Sequence, residues 1–292
     1  MTVGIIISNY NRWDLVQKCV DQILQTCGSE VDKILIVDDC SPIKNPNVYP
    51  EPVQVIRNEY NLGYVKTINV GLRTLQTDLV LIFDSDAYPL SNIIPKVKLH
   101  FTHDSSLGML GFRTVNDRNE EIGAYEPEPT ILNLILGQKM MLFYDHHFRK
   151  DEGRICIFSC AVAIRKTCLD KLGIYDEEFQ HLDADTDFCL RLYENNWKVL
   201  LDKGITVYHK GGSSVTRNAN RVLMVYKSRW KLLQKHGMIR FQRLSKYLIV
   251  TRLFLEYLFL AIFGKLLYPS EEIYKDKRDG RWQIFKYCFQ NY

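Results

Sequence analysis

Apolar residues in the first third of the chain fall into short unbroken runs, and each run stops abruptly at polar ones. Val3-Gly4-Ile5-Ile6-Ile7 leads into Ser8-Asn9-Tyr10-Asn11, Ile34-Leu35-Ile36-Val37 into Asp38-Asp39, and Leu79-Val80-Leu81-Ile82-Phe83 into Asp84-Ser85-Asp86. Runs of this length with no polar alternation read as strands covered on both faces, which is the habit of parallel sheets. Helical periodicity fills the gaps from Trp13 to about Gln25 and from Tyr64 to about Leu75, with a short strand at Val53-Gln54-Val55-Ile56. The alternation predicts an α/β fold in which crossover helices join strands at 3–7, 33–37, 53–56 and 79–83.

From Ser105 to Gly153 the pattern dissolves into polar, proline-containing text, Tyr125-Glu126-Pro127-Glu128-Pro129, with an apolar stretch only at Ile131 to Leu136. Connecting hairpins or a flap over an acceptor are expected there, with His146 and His147 in surface or packing roles. Order returns with a strand at Ile157 to Arg165, then a helix opened by Leu182-Asp183-Ala184-Asp185-Thr186-Asp187. A further short strand, Ile205 to His209, runs into Lys210-Gly211-Gly212-Ser213-Ser214.

Composition leaves this picture standing. A chain of 292 residues with 46% hydrophobic content fits one large α/β domain or one domain with an appendage. The eight cysteines show no CxxC pair, so neither a zinc site nor a disulfide framework is indicated, and because Met1-Thr2 leads straight into a strand no secretory leader is expected. These features point to a reducing cytosol. The net charge of +4 is unevenly spread: Lys203 to Leu255 holds twelve Lys or Arg and no acid. Such a segment suits nucleic acid or an anionic membrane surface.

The candidate chemistry sits at the polar strand ends. Two carboxylates one residue apart, Asp84 and Asp86, make an oxygen-rich seat for Mg²⁺ or Mn²⁺, although an Asp-Ser-Asp turn can also simply cap the next element. Acids in a helix's first turn complement its dipole, yet Asp183, Asp185 and Asp187 exceed what capping needs, and one of them can serve as a general base. His209 is either structural or a member of a metal shell, and Lys210 with the serines and amides after it suits a diphosphate. No GxGxxG follows the first strand, and no GxxxxGK[ST] is present.

The order of these pieces resembles the family 2 glycosyltransferases, an inverting group with the nucleotide-sugar-binding GT-A fold, and in particular rhamnosyltransferase-like members that build surface polysaccharides. The likeness covers residues 3 to about 236 and rests on Val3–Arg12 (VGIIISNYNR), Ile36–Pro42 (IVDDCSP), Asn61–Gly71 (NLGYVKTINVG), Leu79–Asp86 (LVLIFDSD), Ser159–Lys166 (SCAVAIRK), Asp185–Arg191 (DTDFCLR) and Val207–Ser214 (VYHKGGSS). By that resemblance Ser8, Tyr10 and Asp39 would meet the base and ribose of a UDP- or dTDP-sugar, and Lys66 would lie near the donor. Asp84 and Asp86 would be the DxD pair, His209 a further metal ligand, Lys210 and Ser213 diphosphate contacts, and Asp185 the catalytic base. The acceptor would be a glycan or a lipid-linked sugar, with no nucleic acid involved. Two departures stand out: Ala184 occupies the place of a usual Glu, which raises a role for Asp183, and Cys160 that of a usual Gly. A haloacid dehalogenase-type phosphatase, a sugar nucleotidyltransferase and a non-catalytic glycan-binding relative are the rival classes. The phosphatase would carry its Asp pair on the first strand, and the nucleotidyltransferase would show a Gly-rich first loop.

Residues 1–220 read as the GT-A catalytic domain and 221–292 as a helical extension. Tyr247 to Phe263 is mostly apolar, but Arg252 and Glu256 sit one helical turn apart. The stretch therefore reads as an interfacial amphipathic helix at the cytoplasmic face of a membrane, with a buried helix or the seam of a homo-oligomer as the alternatives.

Overall fold

Each unbroken apolar run becomes a strand of one mixed sheet. The computed structural model describes residues 1–148, 153–180, 182–211, 219–268 and 270–292. Along the chain come β1 (Val3–Asn9), α1 (Trp13–Cys27), β2 (Lys33–Asp38), β3 (Val53–Arg57), α2 (Tyr64–Thr74), β4 (Leu79–Asp84), β5 (Ala87–Pro89), α3 (Ile94–His103) and β6 (Leu107–Val115). Then follow β7 (Glu121–Ile122), β8 (Tyr125–Pro127), α4 (Ile131–Leu136), α5 (Gln138–Phe148), β9 (Ile155–Ile157), β10 (Ala161–Arg165), α6 (Lys166–Leu172), α7 (Ala184–Glu194), β11 (Lys198–His209), α8 (Ala219–Lys235), α9 (Gln242–Leu267) and α10 (Glu271–Asn291).

The sheet runs β3-β2-β1-β4-β10-β6-β11-β5, with β7 on β6. The strands β1 to β4 are parallel, and β10 lies antiparallel to both β4 and β6. The chain order reverses between β1 and β4, the position where open α/β sheets leave a crevice at their carboxyl ends. Register sets Ser8 beside Asp84 and Asn9 beside Asp38, so neighbouring strands deliver their polar ends to one place. Gly71 permits close packing of α2 on β1: a Cβ there would stand 2.8 Å from Ile6 Cγ2.

Three expectations are corrected. The polar text after Ser105 conceals β6, an inner strand of the sheet whose apolar run is interrupted by Gly108, Gly111 and Arg113. Gly111 is needed because a Cβ would sit 2.7 Å from Ile157. His146 and His147, expected among connecting hairpins or in a flap, lie on the helix α5; the His147 ring nitrogen meets the Phe143 carbonyl at 2.9 Å, and the side chain of His146 falls outside the described ones. The single strand expected from Ile157 to Arg165 is two strands: β9 pairs with β8 in a separate sheet, and β10 joins the main one. Phe158-Ser159-Cys160 turns between them, with Phe158 N–H on the Ala124 carbonyl at 2.9 Å.

The described chain divides into two compact units, Met1–Glu128 with Arg154–Ser214, and Pro129–Gly153 with Val215–Tyr292. The second is helical and has its own core, in which Tyr226, Trp230, Ile249, Leu253 and Ile284 are buried and Trp230 stacks on Tyr292 with ring centroids 3.8 Å apart. Its helix α9 spans 26 residues, longer than the apolar text predicted, and by length and composition it is long enough to cross a membrane. The charges that shortened the sequence reading are held inside this unit. Arg252 bonds Glu256, the Tyr226 hydroxyl and the Leu134 carbonyl, and Arg281 reaches Glu256 at 2.6 Å. Phe254, Leu255, Leu258, Phe259, Ile262 and Phe263 are left exposed on α9.

Candidate active site

The tight turn Asp84-Ser85-Asp86 joins β4 to β5, and β5 pairs antiparallel with β11 so that Ala87 stands opposite His209. That register brings an imidazole from a residue more than a hundred positions away to the two carboxylates. His209 Nε2 lies 3.5 Å from Asp86 Oδ1 and 3.9 Å from Asp84 Oδ2. One donor atom from each of the three side chains falls within 4.8 Å of the others, the only such group of three or more His, Cys, Asp or Glu among the described residues. Two hard carboxylates and one imidazole fit Mn²⁺ or Mg²⁺. The other ring nitrogen, Nδ1, is buried without a hydrogen bond among the described residues, so the ring is aimed by its strand and by the two acids.

Electrostatics mark the same cluster. Burial pushes the Asp84 carboxyl up to about 6, opposed by His209 and by the Tyr64 hydroxyl, and reinforced by the Asp86 and Asp185 charges. Burial also disfavours the charged form of His209, but the Asp86 hydrogen bond and the two acidic charges outweigh it and raise its titration above the usual range.

Asp185 lies in the first turn of α7. Its Oδ1 accepts the Ser159 hydroxyl at 2.8 Å and its Oδ2 the Ser159 N–H at 3.1 Å. Burial pushes its carboxyl up to about 6 despite both bonds, and Asp183 and Glu126 add to the rise. A carboxylate poised there is still ionised near neutrality yet basic enough to take a proton. The other two acids are separated from it by structure. Asp187 is buried and ion-paired with Arg191 at 2.8 Å, while Asp183 holds the left-handed N-cap position at φ 65°. Ala184, in the place of the family's usual Glu, is buried at the helix start. The thiol of Cys160 is raised well above its ordinary value by burial and then by Asp84 and Asp185, and its carbonyl accepts the Asp84 N–H at 3.0 Å.

The residues expected around the nucleotide are placed as follows. Ser8 lies in register with Asp84, and Tyr10 follows β1 half exposed. Asp39 is buried and accepts from Leu62 N–H at 2.7 Å, Gly63 N–H at 2.9 Å and Asn58 at 3.0 Å. It therefore shapes the loop before α2, where Gly63 takes φ +83°, a conformation open to glycine. Lys66 is exposed on α2 and makes no hydrogen bond or ion pair with these groups among the described residues. Lys210 donates its N–H to the Asp86 carbonyl at 3.2 Å and borders a cleft of about 180 Å³ with Asp86, Lys18, Tyr88, Asp117 and Tyr208. Ser213 lies outside the described residues.

Sequence reasoning missed Ser159, Tyr64, Tyr175, and the network of Asn9, Ser41 and Arg57 around Asp38. Arg57 reaches Asp38 at 2.5 Å, and Asn9 donates to it at 2.9 Å. Tyr175 is buried with no hydrogen bond on its hydroxyl among the described residues, and burial followed by the Asp185 charge raises its phenol. The available signal was proximity to motifs: Ser41 lies three residues from Asp38, whereas Asn9, Arg57, Tyr64 and Ser159 meet their partners across the fold.

Comparison with known proteins supplies the family and the fold. Residues 4–173 match the profile of Glycosyl transferase family 2. An uncharacterized glycosyltransferase of Haemophilus influenzae is 38% identical over 194 residues, covering 66% of this chain and 62% of that protein. The chondroitin synthase of Pasteurella multocida is 25% identical over 236 residues, 71% of this chain but 24% of its own length. The chain thus spans less than two thirds of these relatives. Among solved structures, a mannosyltransferase from Pyrobaculum calidifontis in complex with GDP-Man and Mn²⁺ superposes with a TM-score of 0.57 at 12% identity, covering 99% of this chain and 86% of that one. TarS from S. aureus in complex with UDP-GlcNAc gives 0.56 at 18% identity, with 99% and 81% covered. At such identities the structures share the fold, and the match over 4–173 supplies the lineage: this chain belongs to glycosyl transferase family 2.

Proposed function

We propose that the chain transfers a sugar, with inversion, from a nucleoside-diphosphate donor of the UDP or dTDP type to a hydroxyl of a glycan or lipid-linked acceptor. The observation that carries this reading is the placement of a cation-ready cluster, Asp84, Asp86 and His209, beside a separately held basic carboxylate, Asp185, at the carboxyl ends of the strands. The family and the nucleotide sugars in the two related structures support it.

Asp84, Asp86 and His209 would hold Mn²⁺ or Mg²⁺, which neutralises the charge gathering on a departing diphosphate. Lys210, and Ser213 by family likeness, would add positive charge and a hydroxyl at the same diphosphate. Ser8, Tyr10 and Asp39 would border the nucleoside. Asp185, steadied by Ser159, accepts the proton of the acceptor hydroxyl as that oxygen attacks the anomeric carbon from the face opposite the diphosphate. The bare apolar face of α9 and the basic residues before it would hold the protein at an anionic membrane, next to a lipid-linked acceptor.

A panel of UDP-, dTDP- and GDP-sugars, scored by release of nucleoside diphosphate with Mn²⁺ and with EDTA, tests the reading. Cation-dependent release from one donor is the expected result. Nucleotide-sugar binding with no turnover of any donor on any glycan or lipid-linked acceptor would favour the non-catalytic relative.

A further inference from the structure

Two groups from one ribbon converge on the first turn of α7. The strands β8 and β9 pair so that Glu126 stands opposite Cys156, and β9 runs on into the turn that carries Ser159. Ser159 holds Asp185 by its N–H and its hydroxyl, and Glu126 Oε1 accepts the hydroxyl of the next residue, Thr186, at 3.0 Å. Thr186 is buried, so that bond lies at the edge of the interior, while Glu126 and Asp185 are each half-buried. Ala184, buried on the other side of Asp185, brings no charge to the turn.

Like charges held close in a poorly hydrated place disfavour each other's ionisation. Among the described residues, the ionisable groups that face Asp185 are Asp183 on its own helix, Glu126 on β8, Asp84 at the end of β4, Tyr64 on α2, and Cys160 and Tyr175 on the segments before α7. Burial raises the two phenols and the thiol well above their ordinary values, so of these groups only the three acids bring charge. Asp183 is the cap of the helix itself, and Asp84 belongs to the cation cluster. Glu126 is the acid that a hydrogen bond ties to this turn from another element.

We propose that Glu126 is a positioning residue of the transfer site: held beside Asp185 by its bond to Thr186, its negative charge keeps that carboxylate a strong enough base to take the acceptor's proton. The inference rests on the reading of Asp185 as the base.

The test separates the charge from the contact. Glu126→Gln is isosteric and its amide oxygen still accepts from Thr186, so a role confined to that contact predicts no change. Glu128→Gln, two positions along the same ribbon where the carboxylate pairs with Arg154, removes an equal charge and serves as the control. Each is combined with Asp185→Asn in a double-mutant cycle on the full chain without metal, read by melting temperature at pH 5 and pH 8. A carboxyl raised in the folded state contributes stability below its unfolded value, and that contribution is lost as pH rises through about 6. Asp185→Asn therefore gains melting temperature over its background between those pH values. In the Glu126→Gln background the gain should shrink by roughly a fifth or more, because less of the rise remains. In the Glu128→Gln background it should equal the gain in the parent. Asp84 is present in every protein compared, so its own titration cancels.

Once a donor turns over, the rate profile gives a second readout. The ratio of the rate at pH 5 to that at pH 8 should rise roughly twofold in Glu126→Gln, since a weaker base stays ionised at lower pH. An undiminished gain in Glu126→Gln overturns the proposal, and so does an equal reduction in Glu128→Gln, which would make overall charge the cause. Absence of any gain in the parent overturns it too, because Asp185 is then not raised. Full turnover by Asp185→Asn would instead overturn the base itself, a result on which the melts do not depend. If Glu126→Gln folds poorly, Glu126→Ala must show the same reduction.

Discussion

Two pairs of aspartates stand at the ends of β2 and β4, on either side of β1 in the same sheet, and the protein treats them in opposite ways. Asp38 and Asp39, at the end of β2, are saturated: Arg57, Asn9 and Ser41 surround the first, and two backbone N–H groups with Asn58 hold the second. Asp84 and Asp86, at the end of β4, face each other and an imidazole, and Asp84 is pushed up to about 6. Both pairs follow an unbroken apolar strand, so local sequence makes them look alike. A carboxylate with its hydrogen bonds filled builds the pocket; one left under-neutralised is available to a ligand.

The largest effect should come from breaking the under-neutralised pair. Asp86→Asn should abolish turnover while the metal-free protein melts at or above the parent temperature, because a repulsion is removed. Asp38→Asn should show the reverse: it leaves buried donors around it unmatched and costs about 2–3 kcal/mol once the exposure of Arg57 is allowed for, roughly 5–10 °C in melting temperature. Thermal melts of both variants without metal check the signs, and a destabilised Asp86→Asn would dissolve the contrast.

Asp185→Asn keeps the shape but not the basicity, and kcat should fall roughly 10²-fold to 10⁴-fold with donor affinity little changed. If Asp183→Asn is crippled instead, the base has been misassigned.

The pH dependence sharpens the same point. Asp185 must be ionised to accept a proton, so the rate should fall as pH drops through about 6. The stability term has the opposite sense. A carboxyl whose folded value is raised contributes stability below its unfolded value, and that contribution is lost as pH rises through about 6. Asp185→Asn should therefore gain melting temperature over the parent as pH goes from 5 to 8. A constant difference across that range would show that the carboxyl is not raised.

Much of the site was legible because its signals are local. The runs ending at Ser8, Asp38 and Asp84 name their own strands, and Asp185 lies in a helix's first turn. What escaped depends on distant partners. Ser159 looked like mid-strand text until Phe158 bonded Ala124 and turned the chain toward Asp185. β6 was hidden by glycines that exist to admit Ile157 and other neighbours. Arg252 and Glu256, one turn apart, read in the sequence as charges of an interfacial amphipathic helix, whereas Tyr226, Leu134 and Arg281 receive them inside the helical unit.

That correction changes how the membrane proposal is tested. Removing residues 238 to 292 would strip Ile249, Leu253 and Ile284 from a packed core, so point changes on the exposed face are cleaner. Leu258→Glu with Ile262→Glu should weaken co-sedimentation with anionic liposomes several-fold without unfolding the chain. The basic residues, each worth on the order of 1 kcal/mol near such a surface, should make the binding salt-sensitive. Equal, salt-insensitive binding to neutral liposomes would point to a purely apolar contact.

The smallest change is expected at the edge of the cluster. His209→Ala should weaken Mn²⁺ binding roughly tenfold and leave the metal-free melting temperature within a few degrees of the parent. A large loss of stability would return His209 to a structural role.

The central claim is that the pair at β4, not the pair at β2, is a cation-linked diphosphate seat. Calorimetric titration of UDP and dTDP into the parent and Asp86→Asn, each with Mn²⁺ and with EDTA, tests it most directly. The account predicts nucleotide binding that Mn²⁺ strengthens at least tenfold in the parent and leaves unchanged in Asp86→Asn. Equal affinity with and without Mn²⁺ in the parent, or the same Mn²⁺ enhancement in Asp86→Asn, would contradict it.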